Sequence, residues 1–235
     1  MASSTTRTGQ RSLDLNGAER LAGVIFKQME VKHQLTGAAD RRDRSRETWR
    51  WSLQPQIGAR NRSPEVVLER MIARACQAQR RMDWANQVPT ASGLTTAAGD
   101  RRRALDLVRQ RGPRHYKFIE LKIASNTPLS AAIEVIGYAC LWLLARRHPP
   151  SRSPALLTAD HIDLRVLAAA SFYGEADLAS MRVALDQSVA ELGATQGAAL
   201  TIGFDVLPDH LTQPLLIGDD VDVLASLERR GSLAT

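Results

Sequence analysis

Between Ala104 and Ala124 two runs fit for β-strands, ALDLVRQ and YKFIELKIA, flank the tetrapeptide Arg111-Gly112-Pro113-Arg114. Apolar residues on either side of a Gly-Pro pair predict an antiparallel hairpin. No other stretch constrains the fold as much, because the hairpin fixes which side chains share a face. Tyr116, Phe118, Glu120, Lys122 and Ala124 fall on one side of the second strand, and Lys117, Ile119, Leu121 and Ile123 on the other. A tight turn centred on Pro113 sets Asp106 opposite Glu120, with facing Cβ atoms about 4.5–5.5 Å apart.

Helices and further strands are expected around the hairpin. Leu21, Val24, Ile25, Gln28 and Met29 recur at helical spacing within Ala18 to Gln34. Ser63 as N-cap, Pro64 at the first helical position and Glu65 in the first turn start a second helix reaching about Arg81. Its apolar side holds Leu68, Ile72 and Ala75, flanked by Glu65 and Glu69. A strand over Trp84 to Leu94 is weakened by Pro89. After the hairpin, Thr127 and Pro128 open an apolar helix that ends before His148-Pro149-Pro150. Strand His161 to Ser171, helix Asp177 to Leu192 and strand Ala198 to Leu207 follow. Helices alternating with strands in this order predict an α/β sandwich around a mixed sheet.

With 235 residues and 44% hydrophobic content the chain suits one main globular domain. The first residues show no apolar block behind their basic side chains, and Ala131 to Ala145 is too short for a membrane span and carries Glu134. A cytoplasmic protein is the expectation. Cys76 and Cys140 read as reduced core residues. His33, His115, His148, His161 and His210 show no metal-binding spacing. His115 is expected to face solvent, and His161 with Asp163 to form a strand-edge pair.

The net charge of +6 is unevenly spread: residues 1–115 hold 22 Lys and Arg against 11 Asp and Glu, and residues 116–235 hold 9 against 14. Such asymmetry points to a polyanionic partner, nucleic acid above all. In RRDRSRETWRW the arginines either straddle a phosphate backbone while Trp49 and Trp51 stack on bases, or form a solvated connector with both tryptophans tucked against the core.

Two carboxylates as close as Asp106 and Glu120 repel unless a proton or a cation lies between them. Oxygen ligands alone suit Mg²⁺, or Mn²⁺, rather than zinc. Lys122 shares the face of Glu120, within reach of a water and a phosphate. Metal plus lysine is a hydrolytic set for a phosphodiester. Glu134, in so apolar a helix, needs a partner. Either it lines this pocket with Tyr138 one turn on, or it bonds the loop at residues 125–127; Gly137 suits close approach of the helix to the sheet.

An acid at the end of one strand followed by Glu-x-Lys on the next resembles the PD-(D/E)XK nuclease superfamily. The resemblance implies a restriction-endonuclease-like α-β-β-β-α-β sandwich over residues 63–235, with residues 1–62 a basic, partly disordered extension carrying one helix. It puts the two acids on Asp106 and Glu120, the lysine on Lys122 and a main-chain carbonyl ligand on Leu121. Members that add an acid from the preceding helix suggest Glu69 first and Glu65 second. The usual proline before the first acid is replaced by Leu105. The implied activity is Mg²⁺-dependent hydrolysis of nucleic acid, DNA on family precedent, with the arginine-rich first half gripping the backbone and a homodimer suiting cleavage of both strands. The alternative expectation is a non-catalytic nucleic-acid-binding or scaffold protein that retains the fold.

Overall fold

The computed structural model describes residues 17, 20–35, 48–90, 103–123, 126–150, 152, 154–214 and 222–228. Five strands form one mixed sheet in the order β1-β2-β3-β4-β5: Trp84–Pro89, Ala104–Gly112, His115–Lys122, His161–Ala168 and Ala199–Val206. The first three pair antiparallel and the last two join in parallel. The protein is therefore α/β with a five-stranded mixed sheet and flanking helices.

The hairpin register follows the position of the turn. Leu107 faces Ile119 and Val108 faces Phe118, and the pairing shifts only beside the turn, between Gln110 and Gly112. Strand boundaries are shorter than the sequence suggests in two places. β1 stops at Pro89, which has no N–H to donate, and residues 91–94 lie outside the described residues. β4 stops at Ala168, where the chain turns into the short helix Ala170–Tyr173. The Tyr173 hydroxyl donates to the carbonyls of Val166 and Asp205 and so tethers that helix to the ends of β4 and β5.

Helix α1 (Leu21–Leu35), helix α3 (Pro128–Arg147) and helix α5 (Leu178–Thr195), the Ala170–Tyr173 helix being α4, cover one face of the sheet. Phe118, Leu164, Ile202 and Phe204 meet Val135, Trp142 and Val189 there. Thr127 caps α3 through Ser130 N–H, and Pro128 occupies the first turn. Among the described residues α3 alone is long and apolar enough to cross a membrane, yet ten of its residues are buried within this core. Gly137 does not serve helix-to-sheet approach: a Cβ there would meet only Met29 of α1, at 3.9 Å. Gly193 does serve such an approach, because its Cβ would lie 2.6 Å from the Ala198 carbonyl, where α5 folds back onto β5.

Among the described residues the other face is covered at one end only, by helix α2 (Pro64–Ala78) and helix α6 (Val223–Glu228) over Leu107, Ile119, Leu121 and Leu167. The remainder of that face carries His115, Lys117, His161, Asp163 and Arg165, partly exposed.

Described residues before position 63 pack onto the sheet and its helices. Ala22 N–H donates to the Ser188 hydroxyl, and Trp49 is buried against Phe118 with its main-chain N–H donating to the Pro89 carbonyl. Trp51 packs edge-on to Tyr116. Trp49 therefore belongs to the core, and Trp51, half-buried, packs against it. Val24, expected on the apolar side of α1, is exposed, and Ala22 and Phe26 are buried in its place.

Candidate active site

Continuing the hairpin register by one residue sets Asp106 against Glu120. Asp106 Oδ2 accepts from the Leu121 N–H at 2.9 Å, which fixes the acid to the backbone of β3. Glu120 is 2% exposed. Its Oε1 takes the Lys122 ammonium at 2.6 Å, while its Oε2 is buried with no hydrogen-bond partner. Lys122 also reaches Glu134 Oε2 on α3, at 3.0 Å. Glu134 thus pairs with Lys122 rather than bonding Thr127, whose hydroxyl serves Ser130.

A third acid arrives from α2. Ser63 does not cap that helix through its side chain; its hydroxyl donates to Glu65 Oε2. Glu65 Oε1 accepts from the Ile123 N–H, just past the end of β3. Glu69, one turn on, is buried and accepts from Asn86 Nδ2 at 2.7 Å and Gln87 Nε2 at 3.0 Å. Gln87 lies between the pairs Asn86–Leu107 and Val88–Leu105, and so opposite Asp106. Its φ of 46° is left-handed, which costs a non-glycine residue on the order of 1 kcal/mol. The kink lets Ala85 and Val88, three positions apart, both reach the main core. It also turns the Gln87 amide onto Glu69.

The electrostatics are those of a site short of positive charge. Burial first, and the Asp106 charge second, push Glu69 up to about 8. Burial raises Glu120 and Asp106 as well, and Asp106 adds to the shift of Glu120. Burial acts to lower Lys122, but the charge and hydrogen bond of Glu120, with Glu134, outweigh it and hold the ammonium charged. Tyr138 is raised by burial and then by the charges of Glu120, Glu134 and Asp106, so the phenol keeps its proton.

The structure brings Asp106, Glu120, Lys122, Glu69, Glu134 and Tyr138 to one end of the sheet and leaves Glu65 on the backbone beside it. The acids are not packed to chelating distance: Glu69, Asp106 and Glu120 do not place three carboxylate oxygens within 4.8 Å of one another. Asp106 and Glu120, adjacent across the hairpin, are the better pair for an ion, with Glu69 behind them. The partnerless Glu120 Oε2 and the all-oxygen donor set fit a hard divalent cation. Leu121 contributes its N–H to Asp106, and its side chain is buried on the opposite face.

Several described arginines of the first half are engaged internally. Arg70 donates to the carbonyls of Ile57, Gly58 and Asn61, and Arg74 to that of Pro55. Arg81 and Arg109 pair with Asp83 and Glu228. Arg60, Arg62 and Arg80 are exposed.

Two groups escaped the sequence reading. The Asn86 and Gln87 clamp on Glu69 left no signal, since amides in a strand are common and the left-handed turn at Gln87 is carried by no glycine. His115, His161 and Asp163 converge at the other end of the sheet, where solvent-facing and strand-edge roles were expected. Comparison with known proteins returns no match: no family, no curated protein and no solved structure matches this chain.

Proposed function

We propose that the protein is a metal-dependent nuclease with a PD-(D/E)XK-type site on a restriction-endonuclease-like fold. The observation that carries this reading is a pair of facing carboxylates, Asp106 and Glu120, with a partnerless buried oxygen, beside one lysine at the end of a hairpin. Asp106, Glu120 and the Leu121 carbonyl would hold Mg²⁺ or Mn²⁺, which when bound supplies Lewis-acid polarisation of a phosphodiester and a more acidic water.

The chain's own groups do the rest. Lys122, held as an ammonium between Glu120 and Glu134, donates to a water or a phosphate oxygen and offsets negative charge as it builds on phosphorus. Its two carboxylate partners favour this role over that of a general base. Asn86 and Gln87 orient Glu69 behind Asp106. DNA is the proposed substrate, with exposed basic side chains such as Arg60 and Arg62 meeting phosphates without reading sequence.

Incubation with plasmid, single-stranded DNA and RNA in Mg²⁺, Mn²⁺ or EDTA tests the proposal. Cleavage with metal, lost with EDTA and in Asp106→Asn and Lys122→Met, is the expected result. Binding without cleavage by the intact protein would instead support a nucleic-acid-binding scaffold, and cleavage retained by both variants would show the site to be wrong.

A further inference from the structure

His115 opens β3 and His161 opens β4, and the parallel register pairs the two directly. Their rings lie stacked, centroids 3.9 Å apart and 8° from parallel. Both present Nε2 to the carboxylate of Asp163, two residues along β4: His115 Nε2 to Oδ2 at 2.8 Å and His161 Nε2 to Oδ1 at 3.2 Å. The second contact lacks hydrogen-bond geometry, so His161 Nε2 is a buried ring nitrogen without a hydrogen-bond partner. Asp163 is in turn held by the Thr201 hydroxyl of β5, at 2.8 Å. One ligand atom from each of the three residues lies within 4.8 Å of the others.

We infer that His115, His161 and Asp163 form a second metal site, one for a borderline ion such as Zn²⁺ or Co²⁺. The ligand types decide the class: imidazole prefers such ions, whereas the all-carboxylate end of β3 suits hard ones. Spacing permits it: ligand atoms about 2.0–2.1 Å from a tetrahedral ion lie about 3.3 Å apart, and the two imidazoles each lie within 3.2 Å of a different oxygen of one carboxylate. The parallel rings tilt toward each other on binding, and partial exposure of both imidazoles leaves room for water as a further ligand. Thr201 supplies the hydrogen bond that orients a ligating carboxylate. An ion here ties β3 to β4, and through Thr201 to β5, where neither α2 nor α6 covers the sheet. Lys122 lies seven positions along β3 from His115, roughly 23 Å of strand. The inference is thus independent of the proposed nuclease chemistry.

Metal-stripped protein titrated with Co²⁺, then with Zn²⁺ in a thermal melt, tests it. Expected are a visible cobalt absorption band saturating at one equivalent, and a Tm rise of roughly 5–10 °C at about a hundredfold zinc excess over Kd. Both signals should survive in Asp106→Asn, which disables the carboxylate end alone. They should vanish in His161→Gln and in His115→Gln, while Mg²⁺-dependent cleavage persists. Two variants guard against one that folds poorly. Absence of a cobalt band in the intact protein, or a band and zinc shift unchanged in both histidine variants, would overturn the site.

Discussion

The two ends of β3 handle buried charge in opposite ways. At its start, Asp163 meets two imidazoles and a hydroxyl, and the hydrogen bonds from Thr201 and His115 hold its carboxyl below the ordinary range despite burial. At its finish, Asp106, Glu120 and Glu69 surround a single ammonium, and all three carboxyls are raised. One end has a single carboxylate stabilised by its neighbours; the other has more carboxylates than cations. A fold selected for stability alone has no reason to bury a surplus of acids, so the unbalanced end is where function is to be sought.

The largest expected effect lies there. Asp106→Asn should reduce metal-dependent cleavage by about 10³-fold or more, read as single-turnover rate, without loss of metal-free stability. Lys122→Met should cut the rate by about 10²–10³-fold. It should also destabilise the metal-free protein by on the order of 2–3 kcal/mol near neutral pH, since it leaves Glu120 without its partner. Glu69→Gln should cost about 10–100-fold in activity, because Asn86 and Gln87 orient an acid that stands behind the proposed metal ligands.

A pH series separates the two ends without mutation. Glu69, Asp106 and Glu120 have folded-state values above their unfolded ones, so the folded protein retains protons that the unfolded chain has lost. Metal-free stability from these groups is therefore fully present below the ordinary carboxylate range, and falls as pH rises through about 6 to about 9. Denaturant melts should show this decline, and saturating Mg²⁺ or Mn²⁺ should flatten it. Asp163 has the opposite sign and keeps its contribution above the ordinary aspartate range. The smallest effect belongs to that end: Thr201→Val should cost about 1 kcal/mol in a denaturant melt and leave cleavage unchanged.

The same contrast shows what a sequence can disclose. The carboxylate end was legible because an antiparallel hairpin is local: a Gly-Pro turn fixes the register, and the register sets Asp106 against Glu120. Element order was legible for a related reason, since each helix start and turn is a short-range signal such as Thr127-Pro128. The histidine end was not legible. His115 and His161 meet only through parallel pairing across α3, and no spacing rule foretells which residues a crossover brings level. Nor did the tryptophans declare themselves: Trp49 follows an arginine-rich run, yet the apolar space above Phe118 claims it. Ser63 shows how a local signal is overruled, its hydroxyl being drawn to Glu65 instead of the helix N-terminus.

Calorimetric titration of Mn²⁺ into metal-stripped wild-type, Asp106→Asn and Glu120→Gln proteins tests the central claim most directly. At the carboxylate end of β3 the account predicts one divalent-ion site in the wild type, lost in either variant while the fold is retained. No binding in the wild type, or binding left unchanged by both substitutions, would contradict it.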